Sequence, residues 1–296
     1  MSTPEEAIRQ TSFAGEAPRE GEAARAFDPD DPPWGAATGL GVWLASMVMM
    51  VLLPLAVVLP YVLYRAAGTG FGRIDELLQA DPTVIFIGIA ATLPIHAATF
   101  ALVWAVVTGN GRRPFRETIG WGWSPRFGFW VSVLSAVFLL AGAVVVSLLL
   151  GVNRTPFDEM LRSSTAALFA TAFLATATAP LVEELVYRGV LFPALRRASN
   201  TAVALVVVTF LFASVHFLQY KNSPGTIAAI LLLSFALTYV RAATGRVLPC
   251  VVIHFVFNGV QVAALIYEYF WPPSVTGGAE RVSAGELLRL APSVFS

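Results

Sequence analysis

Long unbroken apolar runs dominate the chain, and alternation of apolar and polar positions is absent from them. Seven runs stand out, at 40–64, 82–107, 127–150, 165–194, 202–219, 226–241 and 247–270. Runs of about 18 or more apolar residues are long enough to cross a bilayer as helices. In hydrocarbon a helix satisfies its own backbone hydrogen bonds, so the pattern predicts an all-α, polytopic transmembrane bundle of about seven to eight helices. The fourth run is too long for one straight span, and Pro180, Gly189 and Pro193 within it are places to kink or divide it. Seven and eight spans are therefore both open at this point. No internal repeat is visible.

Composition strengthens this picture. The chain has 296 residues, of which 56% are hydrophobic and 13% charged, whereas a soluble domain carries about 25% charged residues. Positive and negative residues balance at 19 each, so charge points to no nucleic-acid partner. The single cysteine, Cys250, excludes an internal disulfide and a thiolate metal cluster. Residues 1–35 are rich in Pro, Glu, Ala and Asp and are expected to be a disordered tail and not a signal peptide. The remaining organisation is expected to be N-terminal membrane helices over 36–150, a catalytic membrane unit over 151–271 and a tail over 272–296. Between the second and third runs, "GNGRRPFRETIGWGWSPRFGF" is expected to be a polar loop with Trp121 and Trp123 at the interface. Arginines such as Arg112, Arg113, Arg116, Arg196, Arg197 and Arg246 fall on the side of the N-terminus. This modest bias predicts a cytoplasmic N-terminus.

Charged residues at membrane depth are costly and mark functional sites. "PLVEELVYRGVLF", Pro180 to Phe192, keeps three of them together. Glu184 and Arg188 are one helical turn apart and can pair. Glu183 lies about 100° round the helix and falls outside that pair. This makes Glu183 the candidate general base, with Glu184 and Arg188 as structural support. The alternative is a helix-packing ion network.

Depth supplies partners. If the fourth and fifth helices turn near Ser199 and Asn200, Glu183 and His216 both lie about 25 Å from that turn. A level Glu and His can polarise a water molecule. In "HFVFN", His254 and Asn258 share a face, expected shallower than Glu183 but within reach of it. They could stabilise an oxyanion or make an interhelical hydrogen bond. His96 has no level partner by the same arithmetic and reads as a packing or hydrogen-bonding residue. Chemistry is expected in the C-terminal half.

"EELVYR", "FASVH" and "HFVFN" together resemble the EExxxR, FxxxH and HxxxN/D motifs of the CPBP family of type II CAAX prenyl endopeptidases and bacteriocin-processing or Abi proteins. Every motif position is filled. The resemblance implies an intramembrane glutamic endopeptidase in which Glu183 and His216 activate water. It further implies that His254 and Asn258 form the oxyanion hole and that Glu184 and Arg188 hold the site together. No cofactor and no metal are expected. A zinc protease is the weaker alternative because no HExxH pair is present, and a transporter or non-catalytic membrane scaffold is another. The expected partners are the lipid bilayer and a membrane-associated peptide or protein substrate, without nucleic acid. The expected location is a bacterial cytoplasmic membrane, with substrate access from its outer face.

Overall fold

The computed structural model describes residues 28–153 and 164–271. The expected tail at 272–296 and most of the one at 1–35 lie outside the described residues. Among the described residues, seven helices are long and apolar enough to cross a membrane: α1 Ala36–Thr69, α2 Pro82–Thr108, α3 Phe129–Leu150, α4 Thr165–Ala198, α5 Thr201–Tyr220, α6 Pro224–Thr244 and α7 Leu248–Phe270. Over the described residues the protein is thus an integral, all-helical membrane protein with seven such spans. The fourth run stays one continuous element because its prolines are absorbed by local changes of helix pitch.

Helix ends follow ordinary capping chemistry. The Asp81 carboxylate accepts from the Thr83 and Val84 N–H groups ahead of α2, with Pro82 in the first turn. Asn200 does the same for α5 through Val203. Gly109 and Gly245 close α2 and α6 in the left-handed conformation, at φ 58° and 65°.

Burial separates lipid-facing from protein-facing surfaces. Leu149 and Phe138 of α3 are 77% and 76% exposed, where lipid would cover them. The opposite stripe of α3, Ser132, Ala136, Leu140, Ala143 and Ser147, is buried against α6 and α7. Mostly small side chains there let the helices approach closely. At Gly142 an added Cβ would stand 3.3 Å from Leu232.

Two sets of loops meet on opposite sides. On the side of the N-terminus, Val247 N–H donates to Gly120 O, joining the α2–α3 and α6–α7 connections. On the other side Gly225 N–H donates to Gly151 O, and Asn153 N–H to Ser223 Oγ. This is the parity of seven spans.

Two expectations require correction. The stretch 28–35 does not belong with a disordered tail, since it packs on the bundle. Trp34 is buried and donates its indole N–H to Val190 O at 3.0 Å. Asp30 makes ion pairs with Arg196 and Arg241, at 2.8 and 2.7 Å. Buried Arg241 needs a counter-charge, and Asp30 supplies it. The α2–α3 connection is also more than a polar loop. It contains a short helix, Phe115–Ile119, whose buried Ile119 fills the space left by Gly189, where an added Cβ would lie 2.7 Å from Ile119 Cδ1.

Candidate active site

The site is built around α4, whose pitch changes twice. It widens to π-type turns over Leu174–Thr178 and Leu185–Leu191, on either side of the ordinary turns Ala179–Glu184. The proline spacing explains how such turns survive in an apolar setting. In a π-type turn the N–H of residue 180 would pair with the carbonyl of residue 175, but Pro180 has no N–H. Asn258 Nδ2 donates to Ala175 O instead, at 2.9 Å. In the second turn Pro193 leaves the Arg188 carbonyl in the same position. Arg241 Nε donates to it, at 3.0 Å. Polar side chains on α7 and α6 thus replace the missing backbone donors.

Between these turns, Glu184 Oε1 accepts from Arg188 Nη1 and receives His254 Nδ1, both at 2.8 Å. Glu184, Arg188 and His254 are all completely buried. Arg188 spends the rest of its fork on Ser234 O and Oγ and on Thr238 Oγ1, at 3.0, 2.9 and 3.3 Å. Its guanidinium also lies 4.8 Å from the centre of the Phe212 ring. A buried cation with all three nitrogens hydrogen-bonded is held rigidly. His254 Nε2 lies 3.8 Å from Glu183 Oε2, so this imidazole touches both glutamates.

Above this base is a cavity of about 180 Å³. Glu183, His96, Thr99, Gln219 and His216 are its polar wall. Its apolar wall includes Met47, Met50, Val186 and Phe212. His216 is buried, and its Nε2 has no hydrogen-bond partner among the described residues. Tyr187 also lines the cavity, and its hydroxyl accepts from Trp43 Nε1 at 3.1 Å.

The structure therefore brings Glu183 and His216 to one cavity, as the hairpin arithmetic predicts, and pairs Glu184 with Arg188. His254 is deeper than expected, level with the glutamates. The α6–α7 turn does not lie level with the α4–α5 turn. Arg241, near the end of α6, is tied to the Arg188 carbonyl and Asp30 and fixes α6 further along α4. Asn258 donates its Nδ2 to Ala175 O on α4, the helix that carries both glutamates.

Sequence reasoning missed the part played by the N-terminal half. Ser46, Met47 and Met50 of α1, with His96 of α2, line the cavity. His96 makes a hydrogen bond, as expected of it, between Nδ1 and Thr178 Oγ1 at 2.8 Å, and Thr178 is on the helix that carries Glu183. All three histidines of the chain thus belong to the site. Among the described residues no group of three or more His, Cys, Asp or Glu side chains converges so as to hold a metal ion.

A glutamate, a histidine and a supporting ion network thus lie beside one cavity within the apolar helices. Residues 165–260, which run from α4 into α7, match the family described as Rce1-like: Type II CAAX prenyl endopeptidase Rce1-like. The match supports membrane protease activity. No curated protein and no solved structure matches the chain.

Proposed function

We propose that the protein is an intramembrane glutamic endopeptidase. Its substrate is a membrane-associated peptide or protein, cut near its C-terminus or leader. The observation that carries this reading is that Glu183 and His216 line one cavity, while Glu184, Arg188 and His254 are locked together beneath it.

Glu183 takes a proton from a water held between it and His216, and the hydroxide adds to the peptide carbonyl. His254 and Asn258 stabilise the oxyanion. His254 Nδ1 on Glu184 Oε1, at 2.8 Å, turns Nε2 of the same ring toward Glu183. Asn258 spends one amide N–H on Ala175 O and keeps the second. Collapse of the adduct breaks the C–N bond, and Glu183 returns its proton to the leaving amine.

The reaction requires no metal or cofactor, and the enzyme sits in a bacterial cytoplasmic membrane with access from the face opposite the N-terminus. The test is proteomics of membrane-protein termini in cells carrying the wild type or Glu183→Ala. Termini that depend on Glu183 and persist in excess chelator are expected. Identical termini in both strains would overturn the protease reading. Loss of the termini in chelator would favour the zinc alternative.

A further inference from the structure

Five polar groups on the cavity wall have no part in the proposed reaction: Ser46, His96, Thr99, Tyr187 and Gln219. His96 has the most defined setting. It is 5% exposed, on α2, outside the segment that matches the protease family. Its Nδ1 is 2.8 Å from Thr178 Oγ1. The Thr178 hydroxyl has its own acceptor, Leu174 O at 3.3 Å, one turn back on α4. A hydroxyl has one proton to donate. If Leu174 O takes it, Thr178 accepts, and His96 Nδ1 carries the hydrogen. The neutral ring then has its lone pair on Nε2. With Nδ1 occupied, Nε2 is the nitrogen left for the cavity that Glu183 and His216 share.

The geometry points to His96 as a substrate-binding residue whose Nε2 accepts an N–H of the bound peptide beside Glu183. This inference rests on the protease reading and adds a specificity element supplied by the N-terminal half. An extended peptide at the site brings backbone N–H groups into a space with few acceptors, and an N–H buried without one is costly. Val182, Val186 and Val215, with Met47 and Met50, offer apolar contact to its side chains. His216 cannot easily serve the same end, since it is assigned to the water.

Two variants separate binding from packing. An asparagine amide can replace Nδ1 toward Thr178 but does not reach the position of Nε2. A glutamine carbonyl can replace Nε2 but gives up Thr178. The purified full-length protein in detergent is assayed on a mixture of quenched fluorescent peptides with apolar residues around the scissile bond, and the fastest-cleaved member is taken for kinetics. His96→Asn is expected to raise KM about tenfold with kcat little changed, the pattern of lost uniform binding. His96→Gln is expected to stay near wild type. The reverse order, or an unchanged KM in His96→Asn, overturns the inference. With three histidines in the chain, nitrogen NMR of histidine-labelled protein gives a readout independent of turnover. A protonated Nδ1 and a bare Nε2 are expected for His96, and a protonated Nε2 overturns the inference. Glu183→Ala separates the two levels. If it still cleaves, Glu183 is not the general base and the glutamic endopeptidase reading falls. If it is inactive while His96→Asn has a normal KM, only the role of His96 falls.

Discussion

The side-chain amide of Asn258 donates to the carbonyl of Ala175 at 2.9 Å, the carbonyl that a π-type turn would pair with residue 180, a proline. The bond ties α7 to α4 where α4 changes pitch, just ahead of Glu183. Removal of the amide leaves a buried carbonyl without that donor. Asn258→Ala should therefore cost about 1–3 kcal/mol. In a Pro180→Ala background the backbone regains its N–H, and the same substitution should cost less. A double-mutant cycle on thermal unfolding in detergent reads the coupling. Additive costs would show that the two positions act independently.

The second proline-linked contact predicts a different sensitivity. Arg241 is fully buried and has Asp30, Pro29 O and Arg188 O as partners. Asp30→Ala removes its counter-charge and that of Arg196. The expected loss is about 1.5–3 kcal/mol, the range for hydrogen bonds to charged groups. An unfolding midpoint equal to wild type would mean that the 28–35 segment does not brace the bundle.

Arg188 allows a sharper test. Its guanidinium serves Glu184, Ser234 and Thr238 at once. Lysine has the charge but not the planar fork. Arg188→Met should destabilise by about 3–5 kcal/mol because Glu184 is left buried without its cation. Arg188→Lys should recover only part of that stability. Full recovery in the lysine variant would show that charge alone matters.

Gly189 is required by close packing. Its added Cβ would meet Ile119 Cδ1 and Cγ1 at 2.7 and 2.8 Å. Gly189→Ala should cost about 1–3 kcal/mol through overpacking. Ile119→Ala in the same chain should return part of the cost by making room. If the double variant is less stable than Gly189→Ala alone, the clash is not the cause.

Membrane orientation is directly measurable. Cys250 is fully buried, so a second cysteine placed in a loop can be labelled with little background. Asn222→Cys should react with an impermeant maleimide from outside intact cells, and Arg112→Cys only after lysis. The opposite pattern would reverse the proposed side of access.

The spans were legible in the sequence because lipid imposes a length and an apolar composition on each helix, residue by residue. The Glu184–Arg188 pair was legible for a similarly local reason, since four residues make one helical turn. The level placement of Glu183 and His216 needed one further assumption, a short turn near Asn200, and that turn is present. Reasoning of this kind did not reach His96. Its partner Thr178 is on a helix with no hairpin linking it to α2, so no count of residues sets their relative depth. The depth of His254 escaped for a related reason. Counting residues places it relative to the α6–α7 turn alone, whereas Arg241, bonded to the Arg188 carbonyl and Asp30, sets where that turn lies against α4.

The amino-acid sequence by itself determined a seven-run helical membrane protein and the three motif-bearing helices, because periodicity and hydrocarbon solubility are properties of each segment alone. The tertiary structure decided that Glu184 is shared between Arg188 and His254. It also decided that both proline-interrupted turns of α4 are completed from other helices, and that the N-terminal half closes the cavity. Those facts depend on the rotation and depth of one helix against another. They are set by packing and by buried polar groups finding partners, and no single segment encodes them.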